Sequence, residues 1–303
     1  MKALKSSHAK IGIGKLCVLF GKTRHAFYDK LWFSEQREEA NVIALEMVAE
    51  IRREIPQIGT RKLFHMIRTP LQAHGIKMGR DILHSLLLEH GLTIKRKKRY
   101  VKTTDSNHWM KKYSNLIKEL QVIEAEQVWV ADITYIQVNR NFNFLSLITD
   151  VYSKQIMGYC LYPTLEAQGT LAALRMALGN RQKRIKLFHH SDRGTQYCCA
   201  EYVELLRAND IDISMTENGD PYENPVAERI NGILKSDFNL SQEFESSDQA
   251  LCLIERSIKS YNELRPHMSC NYFTPAEAHK MTGVLEKKWK PKKYFKHTET
   301  TSQ

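Results

Sequence analysis

The sequence predicts an α/β fold: a mixed sheet flanked by helices, preceded by a small all-helical, helix-turn-helix-like domain. Three observations carry this. Apolar residues recur at helical spacing through most of the first ninety positions. After a polar stretch at 102–107, three strand-like segments follow one another, and then strand and helix alternate. The charge also changes along the chain, from a net +13 over residues 1–112 to −7 over 113–279 and +5 over 280–303. Basic ends around an acidic middle suggest polyanion binding outside and cation chemistry between.

Residues 1–40 form an N-terminal helical segment. A short helical pattern around Leu16, Cys17, Val18 and Leu19 breaks at Gly21. Periodicity resumes near Ser34, which reads as an N-cap with Glu35 and Glu38 in the first turn, and Pro56 ends it. Two shorter helices are expected over 60–73, with Leu63, Phe64 and Ile67 inward, and over 80–90, with Ile82, Leu83, Leu86 and Leu87 inward. The basic run Lys95, Arg96, Lys97, Lys98, Arg99 follows. Residues 41–101 therefore read as a helix-turn-helix-like DNA-binding domain whose basic run contacts phosphates. The plainer alternative is a helical hairpin with a solvated basic face.

Residues 102–121 read as a linker with some helix, 122–280 as the α/β core, and 281–303 as a basic C-terminal tail. Core strands are expected over 128–138, 142–149, 155–161, 185–189 and 211–215, with a turn at Asn139-Arg140-Asn141. Helices are expected over 165–178, 200–208, 225–238 and 247–263, and a loop over 217–225.

Several classes are excluded. No run approaches the 18 or so apolar residues of a membrane span, and no signal-peptide pattern opens the chain. The six cysteines form no C-x-x-C pair, so neither a zinc site nor a disulfide frame is expected. No P-loop and no Gly-x-Ser-x-Gly elbow occurs. A reduced cytoplasmic compartment fits.

The chemistry lies in three acids. Asp132 interrupts an otherwise apolar strand, and a buried acid needs a partner, for which a cation is a natural choice. Asp192 follows an apolar strand and opens a turn with Gly194. Glu228, 36 positions on with 35 residues between, falls near the start of a helix with Asn224 as N-cap and Pro225 at the first position. Asn231 and Lys235 share its face. Singly, each acid reads as an ion-pair member, a turn residue or a surface charge. Together, three carboxylates can hold two divalent ions, an arrangement that cuts and joins phosphodiesters. His190 could steer water or phosphate beside them, or simply pack.

The matching text is Trp129-x-x-Asp132-Ile-Thr-Tyr135, His190-Ser-Asp192-Arg-Gly-Thr-Gln-Tyr197 and Glu223-Asn224-x-x-x-Glu228-x-x-Asn231-x-x-Leu234-Lys235, followed by Tyr261-Asn262-x-x-Arg265-Pro266-His267 and Thr274-Pro275-Ala276. It resembles the second-frame product, OrfB, of the IS-three family of bacterial insertion-sequence transposases, members of the DDE superfamily whose integrase-like core has a ribonuclease H-like fold. The resemblance implies that Asp132, Asp192 and Glu228 are the metal-binding catalytic triad, served by two Mg²⁺ ions with Mn²⁺ as a substitute. It also matches Lys235 to the family's basic residue after the glutamate, while the shared face lets Asn231 and Lys235 hold a DNA phosphate beside the metals; Arg61 and Lys62 lie in the text Gly59-Thr60-Arg61-Lys62-Leu63, which with Gly91-Leu92 resembles the family's helix-turn-helix-like DNA-binding segment. Asp237 stands where many relatives carry Glu. Implied partners are transposon-end and target DNA, further copies on DNA, and a first-frame OrfA partner or fusion, in a bacterial cytoplasm at the nucleoid. A DNA-binding regulator without chemistry and a nuclease that cuts without joining are the alternatives.

Overall fold

The computed structural model describes residues 10–94, 110–217 and 224–289, leaving out the side chains of residues 30, 31 and 33–35. The basic run Lys95 to Arg99 lies outside these residues, as do most of the expected 217–225 loop and the tail beyond 289. The chain divides into two compact units, Met1–Ile51 with Gly59–Thr93, and Arg52–Ile58 with Ile94–Gln303.

The first unit is helical: α1 (Ile13–Leu19), α2 (Arg24–Glu54, whose last turn belongs to the second unit), α3 (Thr60–Ala73) and α4 (Arg80–Glu89). The expected start at Ser34 is corrected. α2 begins ten residues earlier, where the Ala26 N–H donates to Thr23 Oγ1 at 3.1 Å. Nothing between Arg24 and Ser34 breaks a helix, so it extends back to the turn at Gly21, whose φ of +62° favours glycine. Leu63, Ile67 and Leu71 of α3 and Leu83, Leu86 and Leu87 of α4 are buried. Ile82, expected inward, is 49% exposed because α4 turns only the Leu83–Leu86–Leu87 edge to the core.

The second unit is built on a five-stranded sheet in the order β3-β2-β1-β4-β5. The strands are β1 (Val128–Val138), β2 (Asn141–Asp150), β3 (Ile156–Tyr162), β4 (Leu187–Ser191) and β5 (Ile211–Met215). β1–β2 and β2–β3 are antiparallel, β1–β4 and β4–β5 parallel. The β1–β2 hairpin closes through Asn139 and Arg140, both at positive φ, as a two-residue turn of type I′ demands. The expected 185–189 strand sits two residues later, so β4 delivers Ser191 at its end and Asp192 just beyond. Helices α5 (Ala167–Gly179), α6 (Thr195–Cys198) and α7 (Ala200–Arg207) follow, then α8 (Pro225–Asp237), α9 (Ser247–Glu263) and the short α10 (Pro275–Ala278).

Strand alternation sorts β1 between two faces. Trp129 and Ala131 join Ile148, Met157 and Leu187 in a core with Leu171 and Leu174 of α5 and Tyr202 and Leu206 of α7. Asp132 falls on the opposite face, where α8 packs across β1 and β2. Residues 110–117 run beside β5: Met110 and Tyr113 pack on the core, Met215 N–H donates to Ser114 O at 3.3 Å, and Leu116 N–H to Ser214 Oγ at 2.9 Å.

β3 and α5 touch at Gly158. A Cβ there would stand 2.1 Å from Ala173 O and 2.7 Å from Ala177 N, both backbone atoms. Gly158→Ala should therefore push α5 off the sheet and cost about 1–3 kcal/mol, read as a lowered urea midpoint.

A buried polar cluster ties the segment around His279 to the sheet. Glu126 accepts from Gln182 N–H (2.8 Å), Lys183 N–H (2.6 Å) and His279 Nε2 (3.2 Å). His279 Nδ1 bonds Ser153 Oγ (3.0 Å), which donates to Asp150 Oδ1 (2.7 Å), and Asp150 Oδ2 accepts from Glu126 N–H (2.7 Å). The Thr274-Pro275-Ala276 text is the capping box of α10: Glu277 N–H donates to Thr274 Oγ1, and Thr274 N–H to the Glu277 carboxylate.

Candidate active site

Asp132 and Asp192 come side by side through strand pairing. β1 and β4 are parallel neighbours with Val130 opposite His190, and each aspartate lies two residues further on. Asp132 is within β1 and Asp192 is the residue just past the end of β4, near enough to Asp132 that its charge raises the Asp132 carboxyl. Asp132 Oδ1 accepts from Ile133 N–H at 2.9 Å, and Asp192 Oδ1 from Gly194 N–H at 3.0 Å.

α8 supplies the third acid. Asn224 occupies the N-cap position and Pro225 the first turn, as expected, but Asn224 does not cap with its side chain. Its Nδ2 instead donates to Ala131 O at 3.0 Å, pinning the helix start to β1 beside Asp132. Asn231 Nδ2 donates to Asp132 Oδ2 at 2.7 Å. Glu228, three residues earlier, is on the same face one turn back. Lys235 is half-buried one turn further on.

The fields agree with this layout. Burial, then Asp192, and to a smaller degree Glu228 push the Asp132 carboxyl up to about 7, against the lowering effect of the Asn231 bond. Burial lowers Lys235, which Asp132 partly restores. Beneath Asp192, Tyr197 is buried and raised by burial first and then by Asp192, and its hydroxyl has no hydrogen-bond partner among the described residues. His190 is fully buried, with Nδ1 2.9 Å from Ser214 Oγ. His189, 2.9 Å from Tyr202 Oη, is driven by burial to about 3 and stays neutral.

The three acids are neighbours rather than a finished cage. Among the described residues no group of three or more His, Cys, Asp or Glu side chains is gathered to hold a metal as it stands. Carboxylates without a cation between them repel. Their chemistry still fits hard divalent ions, because all three are oxygen donors and half-buried Asp132 sits in a like-charged field that a cation would relieve. Of the expected DNA contacts, Asn231 is buried against Asp132, Lys235 borders the acids, and Arg61 is exposed at the start of α3 beside half-buried Lys62. The sequence pattern put Asn231 on the right face. Its bond to Asp132 had no sequence signal.

Two integrase core domain families match the chain, one over residues 124–221 and one over 209–275. The transposase InsF for insertion sequence IS3A of Escherichia coli strain K12 is 27% identical over 209 residues, 68% of this chain and 73% of that protein. The insertion element IS600 uncharacterized 31 kDa protein of Shigella sonnei is 34% identical over 266 residues, 86% of this chain and 96% of the relative.

The chain belongs to the IS3 family of insertion-sequence transposases.

This IS3-family member is a DDE polynucleotidyl transferase that acts in DNA transposition and integration, and metal-dependent cleavage and strand transfer are the family's general activity. Its mixed five-stranded sheet flanked by helices, with a helical region before it, is the integrase, ribonuclease H-like core that the sequence predicts. Among solved structures, that of the HTLV-2 integrase catalytic core domain in complex with magnesium is similar at 19% identity and a TM-score of 0.43, covering 52% of this chain and 99% of that one. No helix among the described residues of this IS3-family chain is long and apolar enough to cross a membrane.

Proposed function

We propose that Asp132, Asp192 and Glu228 are the catalytic triad of this transposase and together hold two Mg²⁺ ions, for which Mn²⁺ can substitute. The observation that carries the reading is the Val130–His190 register, which sets Asp132 beside Asp192, with α8 seated on Asp132 through Asn231. Bound ions would supply activation of the attacking hydroxyl and stabilisation of the leaving 3′-oxygen. The chain's own residues position. Ile133 N–H and Asn231 Nδ2 leave Asp132 with fixed oxygens, and Gly194 N–H does the same for Asp192.

Asn231 serves Asp132 rather than a phosphate in this reading. Asn231→Ala should lower strand joining about 10- to 100-fold, the range for groups that orient a metal ligand, with DNA binding unchanged in a gel-shift assay. Lys235 is placed to meet a DNA phosphate at the edge of the site. Arg61, Lys62 and the run Lys95, Arg96, Lys97, Lys98, Arg99 would hold the backbone of the transposon end, as part of a helix-turn-helix-like domain over 41–101. Binding should then fall steeply with salt. Partners would be end and target DNA, further copies of the chain on DNA, and a first-frame OrfA protein or fusion, in the cytoplasm at the nucleoid.

Incubating the protein with labelled end DNA and Mg²⁺ tests the function. Joined products support it. Cut but unjoined products indicate a nuclease, and binding without chemistry indicates a regulator.

A further inference from the structure

The downstream Tyr261-Asn262-x-x-Arg265 text and Asp237 have no part in the site described above, yet they meet each other. Arg265 is 1% exposed, and its Nε and Nη2 donate to Asp237 Oδ2 at 3.0 and 2.8 Å. Asp237 is the last residue of α8. An acid at a helix C-terminus opposes the helix dipole, so it wants a cation there. It lies nine residues after Glu228, and at about 100° per residue the two project from opposite faces of α8. One face reaches the acids, and the other is held from behind.

The holder is itself anchored. Asn262 Oδ1 accepts from Ile156 N–H and its Nδ2 donates to Ile156 O, both at 3.0 Å, completing the free edge of β3. Tyr261 Oη donates to Lys154 O at 2.9 Å, and the Arg265 guanidinium lies 5.8 Å from the Tyr261 ring centre. The Asp237 carbonyl also accepts from Gln57 N–H at 2.9 Å, so two separate segments grip the same residue.

We infer that Arg265 is a positioning residue for this transposase: through Asp237 it fixes the axial position and rotation of α8, and hence where Glu228 and Asn231 meet Asp132. The inference rests on the triad reading. The buried guanidinium suits this task because two of its N–H groups converge on one carboxylate oxygen, a charge-assisted contact that restrains the link more than a single bond would.

The test compares wild type, Asp132→Asn, Asp237→Asn, Arg265→Lys and Arg265→Met by Mn²⁺ binding, followed through water-proton relaxation, and by strand joining across a Mg²⁺ titration, with melting curves for each. Asp237→Asn and Arg265→Met should each weaken Mn²⁺ about tenfold or more, in the range for outer-shell partners. Both should shift the joining curve to higher Mg²⁺ while remaining folded at the assay temperature. Arg265→Lys should fall between them and wild type, and the Asp237→Asn/Arg265→Met double variant should be no worse than the weaker single. Should Arg265→Met fail to fold, Asp237→Asn and Arg265→Lys decide. Wild-type Mn²⁺ affinity and an unshifted Mg²⁺ curve in these variants, with Asp132→Asn impaired, overturn the positioning role. If Asp132→Asn binds Mn²⁺ like wild type, the triad reading fails and the inference falls with it.

Discussion

Asp132→Asn should abolish strand cleavage and joining together, by about 10³-fold or more, since residues acting as one unit lose nearly everything singly. Asp192→Asn and Glu228→Gln should do the same, and end-DNA binding in a gel shift should stay within about twofold, because the phosphate contacts lie elsewhere. The stability readout should move the other way. The Asp132 charge is disfavoured by burial and by Asp192 and Glu228, so its neutral amide should melt at or above wild type in the absence of divalent ions. A triple of inactive, DNA-competent, stably folded variants would establish the triad. One fully active variant would remove its residue from it.

Glu126→Ala should produce the largest loss of stability. The side chain is fully buried and receives two backbone N–H groups and His279. Alanine leaves those buried donors without an acceptor, and each group so stranded costs about 1–3 kcal/mol. His279 would also lose one end of its bridge to Ser153, so the segment after α10 should open before the rest. Hydrogen exchange would show early loss of protection at Gln182, Lys183 and His279, with a lowered urea midpoint. Unchanged exchange there would refute the cluster's role as the fastener of the C-terminal segment.

What could be read from residue order follows from how local the cause is. Val128–Val138 and Ile211–Met215 are recognisable because β-branched and apolar runs bounded by turn residues act over a few positions. The Thr60 start and the Asn224–Pro225 start follow from glycine, asparagine and proline next to the helix. Ser34 misled because a residue that can cap does so only if the chain before it leaves the helix, and here it does not until Gly21.

Residue types and spacing alone were enough to give the mixed α/β class, the three acids, and the helical face shared by Glu228, Asn231 and Lys235. Folding in three dimensions decided which groups meet: Asp132 beside Asp192 through one strand register, Asn231 on Asp132, Arg265 on Asp237 and His279 on Glu126. Those contacts join positions 28 to 153 residues apart or depend on a register between separate strands, and no short-range preference encodes them. They are set by which faces the sheet and helices must bury, and that is a property of the whole packed chain.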